Sequence, residues 1–221
     1  MKKEIDTDEV QEIAAQLRCP TGKEGIKTAS LLNQVNINMT LSGINNLQLA
    51  ANDRVLELGH GNCGHLDKIL TQASEIIYFG LEISSLMQSE AEKLNKASVK
   101  NKRASFHTYD GHKIPFENDS FDKIMTVNTL YFWERPLSLL NEIYRVLKPK
   151  GKCTIVFVQK SFMENLPFAR YGFQLYGSNE IKTLMKPTSF KLIKTKHKKE
   201  LVKDDNEQFT ERPYSIVVLE K

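Results

Sequence analysis

Three side chains in the stretch VLELGHGNCGHL, residues 55–66, are of metal-binding type: His60, Cys63 and His65. The same stretch carries Gly59, Gly61 and Gly64. That spacing suits a turn that brings backbone against a nucleotide-like ligand, because glycine has no Cβ to block the approach. Two chemistries thus compete for one segment. A tetrahedral zinc site needs a fourth ligand and usually a second ligand pair at fixed spacing. Nothing around the three residues supplies it, and His65 is expected on the following helix, aimed away from Cys63; no metal is expected. The acidic residues favour the other chemistry. Glu57 stands two residues before Gly59 inside an apolar run, where an unpaired carboxylate is costly. Glu82 ends the next apolar run, in GLEIS, and Asp110 follows the one after, in YDGH. A carboxylate at such a strand end can accept both hydroxyls of a ribose, and a helix N-terminus after the glycines favours negative charge.

The elements that must position these groups are legible from apolar periodicity. RVLEL, EIIYFGLEI, RASFHTY, FDKIMTVN and KCTIVFVQ read as strands. Between them HLDKILTQA, SLMQSEAEKLNKA (opened by Ser84 or Ser85) and LSLLNEIYRVL (stopped by Pro149 and Gly151) read as helices. The alternation predicts a parallel sheet covered on both faces. Glu57 and Glu82 then lie at the carboxyl ends of neighbouring strands, where such sheets bind ligands. Two last strands, SFKLIKTKHKK and YSIVVLE, flank the charged bend LVKDDNEQFTERP and are expected to pair antiparallel at the sheet edge. Upstream, DEVQEIAAQL is helical until Pro20 and Gly22. Residues about 26 to 50 are helical again, with Leu31, Leu32, Val35, Leu41, Ile44 and Leu47 as expected buried positions.

Composition excludes several classes. The chain has 221 residues, 40% hydrophobic and 26% charged, the profile of a folded globular protein rather than a disordered one. The net charge of +4 is too small to call for a nucleic-acid partner by itself. No run approaches the roughly 18 apolar residues of a membrane span. The segment MKKEIDTDEVQEIAAQL has acids where a signal peptide has its apolar region. A cytoplasmic protein with three free thiols, Cys19, Cys63 and Cys153, is expected.

Taken in order, VLELGHGNCG, GLEIS, YDGHKIPFENDSFD and EIYRVLKPKGK, spanning about residues 53 to 158, resemble the class I S-adenosylmethionine-dependent methyltransferases, particularly the methyltransferase type 11 group. The resemblance implies an α/β fold: a Rossmann-like, doubly wound, mostly parallel seven-stranded sheet with an antiparallel C-terminal edge and an N-terminal helical cap. Residues 1–50 would be the cap, part of the same domain as residues 51–221, which hold an insertion at about 161–177. It also implies S-adenosylmethionine as cofactor and S-adenosylhomocysteine as product. Glu57 would line the methionine end, and Gly59 and Gly61 would supply backbone approach. Glu82 would bind the ribose and Ile83 would pack on the adenine. Asp110 would accept from the adenine amino group, with Gly111 and His112 adding backbone contacts. Asn128 would sit beside the sulfonium, with Thr129 and Tyr131 nearby. Two positions depart from the pattern. Cys63 stands where a third glycine is frequent, and His60 stands where a small residue is frequent, facing either the cofactor carboxylate or solvent.

Methyl transfer from a sulfonium by in-line displacement requires alignment more than a catalytic side chain. His112, Tyr131 and His107 are candidates for a base. NTLYFW lacks the prolines and the cysteine that nucleobase methylation would suggest. A small, partly apolar acceptor is therefore expected. Tyr131, Trp133, Phe168 and Tyr171 are candidate pocket residues, and Phe162, Phe173 and Tyr176 of the insertion could roof the pocket. Two rival readings share the fold: a non-catalytic cofactor- or nucleic-acid-binding protein, for which KLIKTKHKK would be the contact, and a nicotinamide-dependent oxidoreductase. Monomer and homodimer both remain open.

Overall fold

The computed structural model describes residues 6–203 and 208–221. The first residues of the N-terminal segment and the centre of the charged bend, residues 204–207, lie outside them. Three helices come first: α1 (Thr7–Arg18), α2 (Gly22–Val35) and α3 (Ile37–Leu47). The alternating part follows as β1 (Arg54–Leu58), α4 (Leu66–Leu70), β2 (Ile77–Glu82), α5 (Ser85–Leu94), α6 (Lys96–Lys100), β3 (Ala104–Thr108), β4 (Phe121–Val127), α7 (Pro136–Val146) and β5 (Leu147–Val158). Then come α8 (Lys160–Met163), α9 (Ser178–Met185), β6 (Lys191–Lys203) and β7 (Phe209–Glu220).

The seven strands form one sheet in the order β3-β2-β1-β4-β5-β7-β6. β1 to β5 are parallel, and β7 runs antiparallel between β5 and β6. Side chains alternate across each strand. Leu56, Leu58, Leu81 and Ile124 therefore pack with Leu139, Leu140 and Ile143 of α7 on one face. Val55, Tyr78, Phe106 and Met125 pack with Ile44, Leu47 and Ala91 on the other. The chain order reverses between β1 and β4. Their diverging connections open a crevice there, at the carboxyl ends of the strands.

The expected mostly parallel doubly wound sheet with its antiparallel edge is present, and some boundaries move. The helix expected over residues 26 to 50 breaks at Asn36 into α2 and α3. Leu31 and Val35 are exposed, not buried, because α2 buries a narrow strip of small residues, Gly25 and Ala29. A Cβ on Gly25 would lie 2.8 Å from the Pro20 carbonyl carbon. α7 ends at Val146 as anticipated, yet β5 starts at once, through Pro149 and Gly151. Pro149 has no N–H for the ladder, and the register with β4 shifts between Phe121 and Lys123. The hairpin of β6 and β7 also takes up Leu201 to Lys203, paired with Glu211 to Phe209, which the sequence suggested as loop.

Candidate functional site

β1 delivers Glu57 to the crevice and then turns at two left-handed glycines. Gly59 has φ +71°, and a Cβ there would lie 2.3 Å from Thr129 Cγ2. Gly61 has φ +58° and faces open space, with nothing within 4 Å of a Cβ position. The first glycine thus lets β1 and β4 approach, and the second leaves bare backbone in the cleft. Glu82, at the end of β2, is 6% exposed, and its carboxylate is organised by backbone donors. Gly61 N–H donates to Oε2 at 3.0 Å, and Ile83 and Ser84 N–H donate to Oε1 at 2.8 and 3.3 Å. Burial raises its pKa, and the three N–H groups only partly offset that. Asp110 is exposed after β3, with Oδ1 accepting from His112 and Lys113 N–H at 2.8 Å each. Those two bonds hold it below the usual carboxylate range, so it stays an ionised acceptor.

The cleft of about 200 Å³ is lined by Glu57, Gly59, His60, Gly61, Glu82, Ile83, Asp110, Gly111, His112 and Asn128. It therefore gathers the residues that the resemblance assigned to cofactor contact, and of the two placed near the sulfonium, Thr129 lines it and Tyr131 does not. Trp133 lines it too. Three other candidates lie elsewhere. Tyr131 is buried, with its hydroxyl against the Val158 carbonyl at 3.1 Å and Asn128 Oδ1 at 3.1 Å, and it accepts from Val158 N–H at 2.5 Å. Burial raises its pKa strongly. The expected role of Tyr131 as base or pocket wall gives way to a structural one, because its polar end is bonded to the β5 backbone. Phe168 and Tyr171 do not reach the cleft. Phe168 packs on Phe173, whose ring stands 4.6 Å from Phe132, so the insertion braces the aromatic segment from behind. Tyr176 is buried in the core, and His107 is exposed on the edge strand against Phe116.

The sequence pointed to Phe132 beside Trp133 and to the segment of residues about 20 to 45 as the acceptor side, but it did not single out Leu17, Arg18, Leu32, Asn33, Asn36, Thr40 or Glu134 as lining residues. They come from the N-terminal helices and the β4–α7 loop. Leu17, on the apolar stripe of α1, and Leu32, among the expected buried positions, were the individual residues that apolar periodicity hinted at. Arg18 and Glu134 meet at 2.6 Å at the cleft mouth, with His112 3.6 Å from the same carboxylate.

Within the glycine turn, His65 departs from expectation. His65 does not aim away. As the residue preceding α4, it points its Nε2 at Glu57 Oε2, 2.9 Å away. Tyr78 donates to the same oxygen at 2.7 Å and lies 3.3 Å from Cys63 Sγ. The donor atoms of Glu57, Cys63 and His65 all fall within 4.8 Å of one another. Glu57 is bonded directly to His65 and to Tyr78, and Cys63 joins the cluster only by donating to the Tyr78 hydroxyl. Burial pushes the Glu57 pKa up, but the His65 charge and the bonds from His65 and Tyr78 outweigh it, and the net shift is downward. Burial likewise pushes His65 down, and Glu57 more than reverses this. The two form a buried hydrogen-bonded pair in which each favours the charged form of the other. His60 is neutral, held at about 4 by burial. Its Nδ1 bonds the Gly61 carbonyl at 2.7 Å, and its ring fills the space that Gly80 leaves open beside Phe106.

Cys63 has φ +48°, the left-handed backbone of a glycine, while its side chain is fully buried. Such strain costs on the order of 1 kcal/mol. Cys63→Gly relieves it and Cys63→Ala does not, although both lose the thiol. The glycine variant is expected to be the more stable of the two by about 1 kcal/mol, the reverse of the usual order in regular structure. Urea unfolding midpoints check this, and an alanine variant of equal or greater stability would show that the position carries no strain.

With this geometry in view, comparison with known proteins identifies the domain around the cleft. The profile of the family described as Methyltransferase domain matches residues 56–155. Over that stretch the chain carries a methyltransferase domain, in keeping with the class I S-adenosylmethionine-dependent methyltransferases it resembles. It is 27% identical to the Uncharacterized methyltransferase YdaC of Bacillus subtilis over 51% of this chain and 60% of that protein. It is 28% identical to the 27-O-demethylrifamycin SV methyltransferase of Amycolatopsis mediterranei over 49% of this chain and 40% of that protein. The chain thus spans less than two thirds of either relative. Among solved structures, the putative methyltransferase in complex with the Trm112 activator from Haloferax volcanii superposes with a TM-score of 0.72 at 17% identity. That match covers 98% of this chain and 99% of the other, and it shows a shared fold. S-adenosylmethionine is the cofactor of the class. The chain's own residues suit it: a bare glycine backbone at Gly61, a preorganised carboxylate at Glu82 and an ionised one at Asp110.

Proposed function

We propose that the protein is a cytoplasmic S-adenosylmethionine-dependent methyltransferase that transfers a methyl group to a small, partly apolar acceptor by in-line displacement. The buried Glu82 carboxylate carries the reading. It is fixed by three backbone N–H groups beside the open face of Gly61, with Asp110 across the cleft. In this reading Glu82 accepts the ribose hydroxyls, Ile83 packs on the adenine, and Asp110 with Gly111 and His112 takes the adenine edge. Gly59 and Gly61 let the ligand approach, and His60 supports their loop from below. Glu57 and Asn128 line the methionine end. Residues 1–50 act as a cap on the domain formed by residues 51–221, since Leu17, Leu32 and Asn33 close one side of the cleft.

When bound, the cofactor supplies an electrophilic methyl group on a sulfonium. The protein aligns the acceptor and excludes water, and orientation of this kind can lower a barrier by about 7–11 kcal/mol. Leu32, Phe132 and Trp133 give the acceptor side an apolar wall, which supports a partly apolar substrate. The Tyr131 hydroxyl is committed to backbone, and His112 stands at the mouth beside Glu134, so no general base is assigned. Isothermal calorimetry is expected to detect binding of S-adenosylmethionine and S-adenosylhomocysteine, with no heat for NAD. Binding of NAD alone would replace this reading with the oxidoreductase one.

A further inference from the structure

We infer that Arg145 of α7, paired with Glu142, is a positioning residue for the cofactor's adenine: it fixes the backbone of the loop that carries Asp110. That loop, residues 109–120, joins β3 to β4 without regular structure. Asp110, Gly111 and His112, which line the cleft, lie in its first half. Its backbone groups have no ladder partners, so each buried one needs another source of hydrogen bonds. At the start of the loop, Tyr109 N–H donates to the Glu82 carbonyl at 3.0 Å. Further on, the partners are two side chains of α7. Ile114 N–H donates to Glu142 Oε2 at 3.0 Å. Arg145 Nη2 donates to the Ile114 carbonyl at 2.9 Å. Its Nη1 donates to the Phe116 carbonyl at 2.7 Å and to Asn118 Oδ1 at 3.1 Å.

The fork of a guanidinium suits this work. Arg145 gives Nε and Nη2 to the two oxygens of Glu142, at 2.8 and 2.7 Å. The carboxylate thus locks the planar group while its other donors hold the loop. The two residues are three apart and share one face of α7. Ile143 and Val146 beside them are fully buried, so the helix is a firm base. Packing anchors the same loop through Ile114, which is fully buried, and through the Phe116 ring, 4.9 Å from that of Phe121. It leaves the backbone path to the Arg145 and Glu142 bonds. That path leads straight to Asp110. Lys113 N–H is held by Asp110 Oδ1, and the next amide, Ile114 N–H, is held by Glu142. A shift of backbone at Ile114 therefore reaches the carboxylate that faces the adenine amino group in the proposed pose. Neither Arg145 nor Glu142 lines the cleft, so their effect runs through Asp110.

This inference rests on the methyltransferase reading, and the test keeps the two apart. Wild type and variants are titrated calorimetrically with S-adenosylhomocysteine and with the analogue whose purine carries hydrogen in place of the 6-amino group. Wild type is expected to prefer the amino compound about tenfold, the low end for a hydrogen bond to a charged group, since Asp110 is exposed. Folded Arg145→Ala is expected to cut that preference to about threefold or less. Arg145→Lys keeps the charge without the fork and is expected to fall between the two; it carries the test if the alanine variant does not fold. A full preference in the folded alanine variant, or in the lysine variant where alanine does not fold, overturns the assignment. So does an equal loss of affinity for both compounds, which general loosening of the fold would produce. The same holds for a wild type that binds S-adenosylhomocysteine and shows no preference. Failure to bind S-adenosylhomocysteine at all would instead defeat the methyltransferase reading.

Discussion

Replacing Glu82 with alanine is expected to weaken S-adenosylmethionine binding about 100- to 1,000-fold. A hydrogen bond to a charged group contributes about 1.5–3 kcal/mol, and in the proposed pose Glu82 accepts two ribose hydroxyls. Part of that sum is returned when water enters the vacated space, which leaves about 3–4 kcal/mol, or two to three powers of ten. The carboxylate also organises its own surroundings. Without it the N–H groups of Gly61, Ile83 and Ser84 lose their acceptor, so the loop that offers bare backbone to the ligand loosens as well. Glu82→Gln keeps the size and one acceptor oxygen and is expected to lose less, about tenfold. Because burial raises the Glu82 pKa, protonation begins at higher pH than for an ordinary glutamate. Cofactor affinity is expected to fall as pH falls through that raised value, and the Gln variant should lack this dependence. Calorimetric titration of folded variants against pH measures all three effects. An unchanged dissociation constant in a folded Glu82→Ala protein would place the ribose elsewhere.

The half of the cleft proposed to hold the cofactor was legible in the sequence because its chemistry is local. Glu57, Gly59, Gly61, Glu82 and Asp110 stand at strand ends, and strand ends are marked by the switch from apolar runs to glycine and acid. Once the strands are parallel and adjacent, their carboxyl ends converge, and the residues there meet without further information. The acceptor half is different. Leu17, Leu32, Asn33, Asn36 and Thr40 reach the cleft from α1, α2 and α3. How those helices cross the sheet depends on small contacts such as Gly43 against Val156 and Gly25 against Pro20. No spacing in the sequence encodes a crossing of that kind. The aromatic insertion misled for a related reason. Phe162, Phe168 and Phe173 are as apolar as pocket residues, and periodicity cannot distinguish a ring that faces a ligand from one that backs Phe132. His65 was misplaced by one step of helix phase. It precedes α4 instead of lying within it, and that turns its ring toward Glu57.

Breaking the Glu57–His65 pair is expected to be the most destabilising single change near the cleft. Glu57 is 1% exposed and His65 5%. Removing one partner leaves the other buried without compensation, which costs about 3–5 kcal/mol. For a domain of this size that corresponds to a melting temperature lower by roughly 6–20 °C in Glu57→Ala. The pH dependence identifies the charge state. The Glu57 pKa is lowered from 4.5, so its contribution is present above pH 4.5 and is lost as pH falls through the folded value. The His65 pKa is raised from 6.5, so its contribution is complete below pH 6.5 and is lost as pH rises through the folded value. The two windows overlap between pH 4.5 and 6.5, where the ion pair stabilises the fold most. His65→Gln keeps a hydrogen-bond donor for Glu57 and removes the positive charge. The stability gap between wild type and His65→Gln, from urea unfolding across pH, is expected to be widest in that window and to narrow above it. A gap that does not change with pH would mean that His65 is neutral in the fold and holds Glu57 by hydrogen bonding alone. The distinction reaches the cleft, because Glu57 and His65 both line it. A protonated His65 balances the Glu57 carboxylate and leaves that end of the cavity without net charge. A neutral one leaves an uncompensated negative charge there, which would draw the ammonium of a methionine arm and repel its carboxylate.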